Sequence, residues 1–227
     1  MLVKDFGQAK SAYQDQYPCL PFFETWIPES QFISALIDEL GNISISREDN
    51  GIYGVALGAS PEIPTTWKNF SIESQGLAAL PEDCKVVTEW DSYWAETISG
   101  KFNPGARSED AVIAKFLKEH APESSVFPGD EEIQQWIEIH ENGELVAIAA
   151  LCRWQSGRVV ISSVATHLDY RGRGLGKALM KDCLVASAEL GEKFVSLGVR
   201  HRNESAQRLY AATGFRLMHN FTYCERR

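Results

Sequence analysis

The sequence predicts an α/β or α+β protein, a β-sheet with helices packed on it, and three observations carry that expectation. From Asp83 onward, short runs with strand alternation take turns with longer runs of helical periodicity, the order that a sheet covered by helices requires. Two of the strand-like runs are joined at Glu141, Asn142 and Gly143, and Asn-Gly between apolar runs is a strong hairpin signal. A glycine-rich turn, Tyr170 to Ala178, connects a strand-like run to a helical one.

Taken in order, the first third reads as helix, strand, strand. Ser30 has the character of an N-cap, Phe32, Ile33, Leu36, Ile37 and Leu40 form a helical stripe, and Gly41 closes it. Residues 42–47 alternate as a half-buried strand, and Asp49, Asn50 and Gly51 turn the chain back into a second strand over 52–57. Residues 59–80 hold two prolines and no clear period and are expected to be loop. A strand is expected over 85–90, then a helix over 109–120 with Val112, Ile113, Phe116 and Leu117 apolar and Pro122 beyond its end. Strands follow over 134–140, 145–154 and 158–166. The helix after the glycine turn carries Leu175, Leu179, Cys183, Ala186 and Leu190 on one face and stops at Gly191. A strand over 194–199, a helix capped by Asn203 and running to Gly214, and one or two closing strands over 215–224 complete the reading.

A chain of 227 residues can form one large domain or one domain with a smaller partner. The change of texture divides it into an N-terminal accessory region, 1–82, and a main domain, 83–227. The longest apolar run, Leu145 to Cys152, is too short for a bilayer. Met1 to Asp5 shows no apolar h-region, so a cytoplasmic location is expected. Five cysteines, odd in number and without a C-x-x-C pair, point to buried free thiols rather than a disulfide or metal framework. The net charge of −9 is split: residues 153–227 hold 13 Lys and Arg against 6 Asp and Glu, and residues 1–152 hold 9 against 25. The acidic total opposes a nucleic-acid partner, while the basic end suits a polyphosphate ligand if a motif there explains it.

The glycine turn supplies that motif. Its glycines permit positive φ and close approach, and free N–H groups at the helix start join Arg171, Arg173 and Lys177 in an anion cradle. A P-loop is excluded because Arg171 stands at the first glycine position and Ala178 at the hydroxyl position. A dinucleotide fingerprint is excluded because Lys177 stands at its third glycine. The pattern R-x-x-G-x-G fits Arg171, Gly174 and Gly176.

That pattern resembles the pyrophosphate-binding signature of the GNAT superfamily of N-acetyltransferases. Residues 203–215, which fit N-x-x-A-x-x-L-Y-x-x-x-G-F from Asn203 through Ala206, Leu209, Tyr210 and Gly214 to Phe215, resemble its second motif. The good match runs from about Asp130 to Phe215. Residues 1–82 resemble no named motif and fit either a small appended domain or a degenerate half-copy of the same fold. The resemblance implies a twisted mixed sheet flanked by helices, acetyl-CoA as the acyl donor, and direct attack by an amine without a covalent enzyme intermediate. It implies cofactor contacts from Val164, Ala165 and Thr166, whose strand would pair with the pantetheine arm where two middle strands splay. Arg171, Gly172, Arg173, Gly174, Leu175, Gly176 and Lys177 would hold the pyrophosphate, and Asn203 would touch the pantetheine arm. No metal is implied.

Direct transfer needs a neutral amine. An amine of pKa near 10.4 is neutral about once in 2,500 molecules at pH 7, a penalty of about 4.6 kcal/mol, which a general base offsets in part. Tyr210 is the candidate acid for the departing thiolate, although its helical spacing alone also suits a core tyrosine. Glu138 is the candidate base: alternation over 134–140 places it with Trp136 and His140 on one face, and a solvated edge-strand glutamate is the competing reading. Glu89 and Asp91, among Trp90, Tyr93 and Trp94, are a second way to line an acceptor pocket. His167 is read as a loop histidine. The acceptor is expected to be an amine on a small molecule or a protein, with no nucleic acid and no membrane as partner, and homodimerisation stays open. The reading from another class is a non-catalytic acyl-CoA-binding module.

Overall fold

The computed structural model describes residues 1–227. The chain runs β1 (Leu2–Val3), α1 (Phe6–Gln16), α2 (Phe22–Trp26), β2 (Phe32–Ile37), β3 (Ile43–Glu48), β4 (Ile52–Leu57), β5 (Asn69–Glu73) and β6 (Cys84–Glu96). It continues with α3 (Asp110–His120), β7 (Ile133–Glu141), β8 (Glu144–Arg153), β9 (Val159–Thr166), α4 (Leu175–Glu189), β10 (Phe194–Arg200), α5 (Glu204–Ala212) and β11 (Arg216–Arg226). This is the mixed sheet flanked by helices that the sequence suggested. Two compact units divide the chain: Met1–Ser92 with Val199–Asn203 and Leu217–Arg227, and Tyr93–Gly198 with Glu204–Arg216. The division thus falls inside β6 rather than before it, and the first unit takes up the end of the chain. No helix is long and apolar enough to cross a membrane. All five thiols are free, with Cys19 exposed and the other four buried.

In the first unit β1 to β4 pair antiparallel, β4 and β5 are parallel, and β5 pairs antiparallel with β11. The turn between β3 and β4 puts Asn50 at φ 53° and Gly51 at φ 115°, as the Asn-Gly signal requires. Helix α1 starts on Asp5, whose carboxylate accepts the Gln8 N–H at 2.8 Å, and it buries Ala9 and Tyr13. The core includes Phe22, Phe23, Ile45, Trp67, Phe70 and Phe221.

The helix expected near 32–40 is instead strand β2, with Ala35 opposite Ile45. Residues 32–37 form a nearly continuous apolar run, which periodicity cannot assign; cross-strand pairing with β3 decides it. Leu40, the last member of the supposed stripe, is 81% exposed. Gly41 at φ 83° belongs to a strand-joining turn, in which Asp38 accepts N–H groups from Leu40 and Asn42. The expected loop over 59–80 contains β5, held on both edges, and a short 3₁₀ turn over 74–79. Helices α1 and α2 were not foreseen, and β11 is a single strand.

In the second unit β7, β8 and β9 pair antiparallel, β10 runs parallel to β9, and β6 flanks β10. The β7–β8 hairpin turns at Asn142 (φ 53°) and Gly143 (φ 84°). Strand β8 is buried from Leu145 to Cys152, which explains its continuous apolar run. The α4 face bearing Leu179, Met180, Cys183 and Leu184 is buried in this unit.

Each unit therefore contains a run of antiparallel strands (β1 to β4, and β7 to β9) followed by a parallel step, but the parallel steps differ. Strands β4 and β5 pair from Tyr53–Asn69 through Ala56–Ile72. Strands β9 and β10 meet only at Val160–Ser196. Beyond that point β9 carries a bulge, because Ser162 lies opposite Ala150 and Ala165 opposite Ile148, leaving Ser163 and Val164 across from Ala149 alone. Ser163 adopts φ 51°. Its buried hydroxyl donates to the Val126 carbonyl (2.9 Å) and accepts the Val126 N–H (3.2 Å). A bulge bends the strand that carries it, here where β9 parts from β10.

Candidate cofactor and acceptor site

The strand end and turn expected to hold the cofactor lie together in the second unit. Val164 and Thr166 are half-buried and Ala165 is buried. The turn is built on its own side chains. Arg171 donates from Nε to the Thr166 carbonyl (3.3 Å) and from Nη2 to the His120 carbonyl (3.2 Å), tying the turn to the ends of β9 and α3. Arg173 donates to the Asp169 carbonyl at 3.1 Å and lies 4.6 Å from the centroid of the Tyr170 ring. Gly172 (φ 78°) and Gly174 (φ 84°) are in the left-handed region, and a Cβ at either would meet nothing within 4 Å. Gly174 caps α4 without a side chain, so the N–H groups of the first turn face outward beside exposed Lys177, as an anion site requires.

Gly176 has a different purpose from the other two glycines. It lies within α4, and an added Cβ would come 3.1 Å from Leu209, so its bareness lets α4 approach α5 closely. The neighbouring residue on α5, Tyr210, is 5% exposed and packs near Tyr93 and Phe215, with ring centroids 5.9 and 5.8 Å away. Its hydroxyl makes no hydrogen bond within the chain. Burial pushes the phenol well above its ordinary range, and Cys183 and Tyr93 add to the effect. Asn203 stands just before α5, exposed, with its N–H on the Arg200 carbonyl at 2.9 Å.

On β7, Glu138 is not a solvated edge residue: its side chain is only 5% exposed. It accepts the Ser108 N–H at 2.9 Å and lies 3.4 Å from His140 Nε2, which also meets the Ser108 hydroxyl at 3.0 Å. Glu138 lines a cavity of about 390 Å³ with Trp136, Ile133, Phe102, Arg107 and Asp130. Register places Glu138 opposite Ile148, and Ile148 opposite Ala165. The three form one cross-strand row, so the β7 and β9 backbones are about 10 Å apart there.

The alternative pocket around Glu89 and Asp91 is not built as expected. Asp91, 1% exposed, meets the Asn220 amide at 2.7 Å and His201 Nδ1 at 3.0 Å, while Glu89 is exposed. Trp90 stacks on Phe221 with centroids 4.8 Å apart. His167 accepts the Asp169 N–H on Nδ1 at 3.2 Å, and its ring centre lies 4.1 Å from that of His120. Burial, reinforced by His167, holds His120 below the ordinary histidine range. Sequence reading missed the Ser163 bulge and the 102–107 wall of the cavity; a serine inside a β-branched run and a Pro-Gly loop are weak signals alone.

The second unit thus combines a parallel step opened by a bulge with a glycine turn and a helix N-terminus at the end of the opened strand. Comparison with known proteins shows the class of protein to be an acetyltransferase. The Acetyltransferase (GNAT) family profile matches residues 90–215, more than half of the chain, and the protein belongs to this family. It is 38% identical over 76 residues to an uncharacterised N-acetyltransferase of Mycobacterium bovis, covering 34% of this chain and 49% of that protein. It is 28% identical over 79 residues to an L-amino acid N-acyltransferase of Escherichia coli, covering 33% and 46%. The chain thus spans about half the length of these relatives. A GCN5-related N-acetyltransferase from Sphaerobacter thermophilus shares the fold with a TM-score of 0.58 at 12% identity, over 99% of this chain and 94% of that one. A GNAT-family acetyltransferase from Colwellia psychrerythraea does so with a TM-score of 0.53 at 13% identity, over 100% and 99%.

Proposed function

We propose that the protein transfers the acetyl group of acetyl-CoA to an amine by direct attack, without a covalent enzyme intermediate. The observation that carries this reading is the parting of β9 from β10 directly before the α4 anion turn. The residues present fit the donor. Gly172 and Gly174 leave room for a diphosphate, the first turn of α4 offers free N–H groups, and Lys177 adds a compact charge. On the opened edge Val164 and Thr166 have no β10 partner, and the Val164 backbone groups and the Thr166 N–H can pair with the amides of the pantetheine arm, while the Thr166 carbonyl accepts from Arg171 and Ala165 pairs with Ile148 of β8. When bound, acetyl-CoA supplies an activated thioester.

The chain's own residues then manage protons. Glu138 lies two strands from β9, within reach of an amine seated between them either directly or through water, and acts as the general base. His140 and Ser108 fix the direction of its carboxylate. Tyr210, whose phenol burial raises above its ordinary range, donates a hydrogen bond to the charge that develops on the departing sulfur. We also read residues 1–82 as the larger part of a degenerate half-copy. The strand pattern of the first unit matches that of the second, but its parallel step is fully paired and Trp67 is sealed beside Gly54, so it is assigned no cofactor. A cytoplasmic location fits the free thiols.

The test uses purified protein, acetyl-CoA and a panel of amines, following thiol release with a chromogenic disulfide and acetylated products by mass spectrometry. Amine-dependent release with a matching acetylated product is expected. Tight acetyl-CoA binding with no release for any amine would overturn the catalytic reading in favour of a binding module.

A further inference from the structure

The cavity beside β7 is lined by two carboxylates, Glu138 and Asp130, one guanidinium, Arg107, and the apolar side chains of Trp136, Ile133 and Phe102, which narrows the acceptor further than "an amine". Glu138 is its sequestered charge, with a side chain 5% exposed. The loop over it places Arg107 in the lining, and the next residue, Ser108, is anchored to the Glu138 carboxylate through its N–H at 2.9 Å. A cationic residue is therefore fixed one residue away from the point where the chain binds the carboxylate. The Arg107 guanidinium is held only by an ion pair with Asp110 at 2.9 Å, whose side chains are 58% and 62% exposed. Exposed pairs of this kind are weak and are readily exchanged for a ligand carboxylate. The rest of the wall includes Trp136, which is 7% exposed, Ile133 and Phe102, together with Asp130, Gln134 and Gln135.

Resting on the acyl-transfer reading, we infer that the acceptor is a free α-amino acid with an apolar or aromatic side chain. Its ammonium meets Glu138, its carboxylate meets Arg107, and its side chain lies on Trp136 and Phe102. The volume of about 390 Å³ is at the lower end for small-molecule pockets and suits one amino acid. A simple alkylamine leaves Arg107 without a ligand partner. A polyamine likewise brings no carboxylate to Arg107.

The test compares L-phenylalanine, phenethylamine, which lacks the carboxylate, and spermidine as acceptors for the full chain with acetyl-CoA. Calorimetric binding of each is measured in parallel without the donor. The expected result is a kcat/KM for phenylalanine about tenfold or more above that of phenethylamine. In Arg107→Gln, an exposed substitution that leaves the melting temperature unchanged, this preference falls to within about threefold. Transfer to phenethylamine or spermidine as fast as to phenylalanine would sink the inference while leaving the acyl-transfer reading intact. So would an undiminished preference in Arg107→Gln. Phenylalanine binding that weakens in Arg107→Gln, with no transfer to any amine, would uphold the pocket and sink the acyl-transfer reading. Neither binding nor transfer would sink both.

Discussion

Replacing Tyr210 by phenylalanine removes one oxygen and little else. The ring is 5% exposed and packed near Tyr93 and Phe215, and the hydroxyl makes no hydrogen bond within the chain. No buried partner is orphaned, so the stability cost falls within the ±0.5 kcal/mol or so of an uneventful substitution, less than about 2 °C in Tm for a chain of this size. Catalysis is affected differently. General acids contribute about 10² to 10⁴ in rate, roughly 3 to 5 kcal/mol. Two facts pull the Tyr210 value down: a thiol leaves with a pKa of about 8.5, and burial raises the phenol above its ordinary range. Complete proton transfer from such a phenol to the thiolate is uphill, so its main contribution is a hydrogen bond to charge as it develops on sulfur. The expected loss in kcat is about 10- to 100-fold, near the lower limit for an acid, with acetyl-CoA affinity unchanged by calorimetry. Full activity would make the tyrosine a packing residue. A joint fall of Tm, affinity and rate would show that it acts through the fold.

Three more outcomes follow from the structure. Gly174→Asp keeps a helix-compatible charge at the start of α4 but puts it where a diphosphate would sit, so acetyl-CoA affinity should drop at least tenfold, about 1.4 kcal/mol, in calorimetry; unchanged affinity would move the cofactor elsewhere. Burial alone would raise the Glu73 carboxyl, yet hydrogen bonds from His219, Gln75 and the Gly58 N–H hold it below the usual range. Its stabilisation is therefore complete above the unfolded carboxyl pKa of about 4.3 and is lost as pH falls through the lower folded value; urea midpoints against pH should fall less steeply below about pH 4 in Glu73→Gln. An added methyl at Gly54 would sit 2.1 Å from the Trp67 ring, which is fully buried, so Gly54→Ala should cost about 1 to 3 kcal/mol in denaturant melts without changing acetyl-CoA affinity.

Much of the second unit was legible because its local signals agree with its tertiary contacts. The Asn142-Gly143 turn fixes the β7–β8 register, the sealed strand β8 reads as an unbroken apolar run, and α4 has a clear apolar face ending at Gly191 with φ 86°. The first unit was harder because its elements are decided from a distance. Strand β2 has helical spacing that pairing with β1 and β3 overrules, and β5 is a strand because β4 and β11 hold both its edges. Helix α1 carries Tyr13, whose place depends on His219, 206 residues away, at 2.8 Å. Glu138 was identified by alternation, but its burial arises from the 102–107 loop folding over it, which no local pattern encodes.

The feature that gives the second unit its capacity is the least visible in sequence. Both units contain a parallel step after a run of antiparallel strands, and a fully paired step has no free backbone to offer a carrier. In the first unit Gly54 admits the flat face of Trp67, whose Nε1–H is satisfied by Ser46 Oγ at 2.8 Å, and the β4–β5 ladder stays closed. In the second unit one extra residue in β9 puts Ser163 at φ 51°, a conformation that serine adopts only when its surroundings compensate it. The compensation is the pair of hydrogen bonds between its hydroxyl and the Val126 backbone. An open strand edge, otherwise a liability, is thereby stabilised by a loop 37 residues earlier. A glycine turn at the end of a closed strand would bind an anion and nothing longer; placed after this bulge, it is what the proposed binding of acetyl-CoA, with its arm along β9, would need.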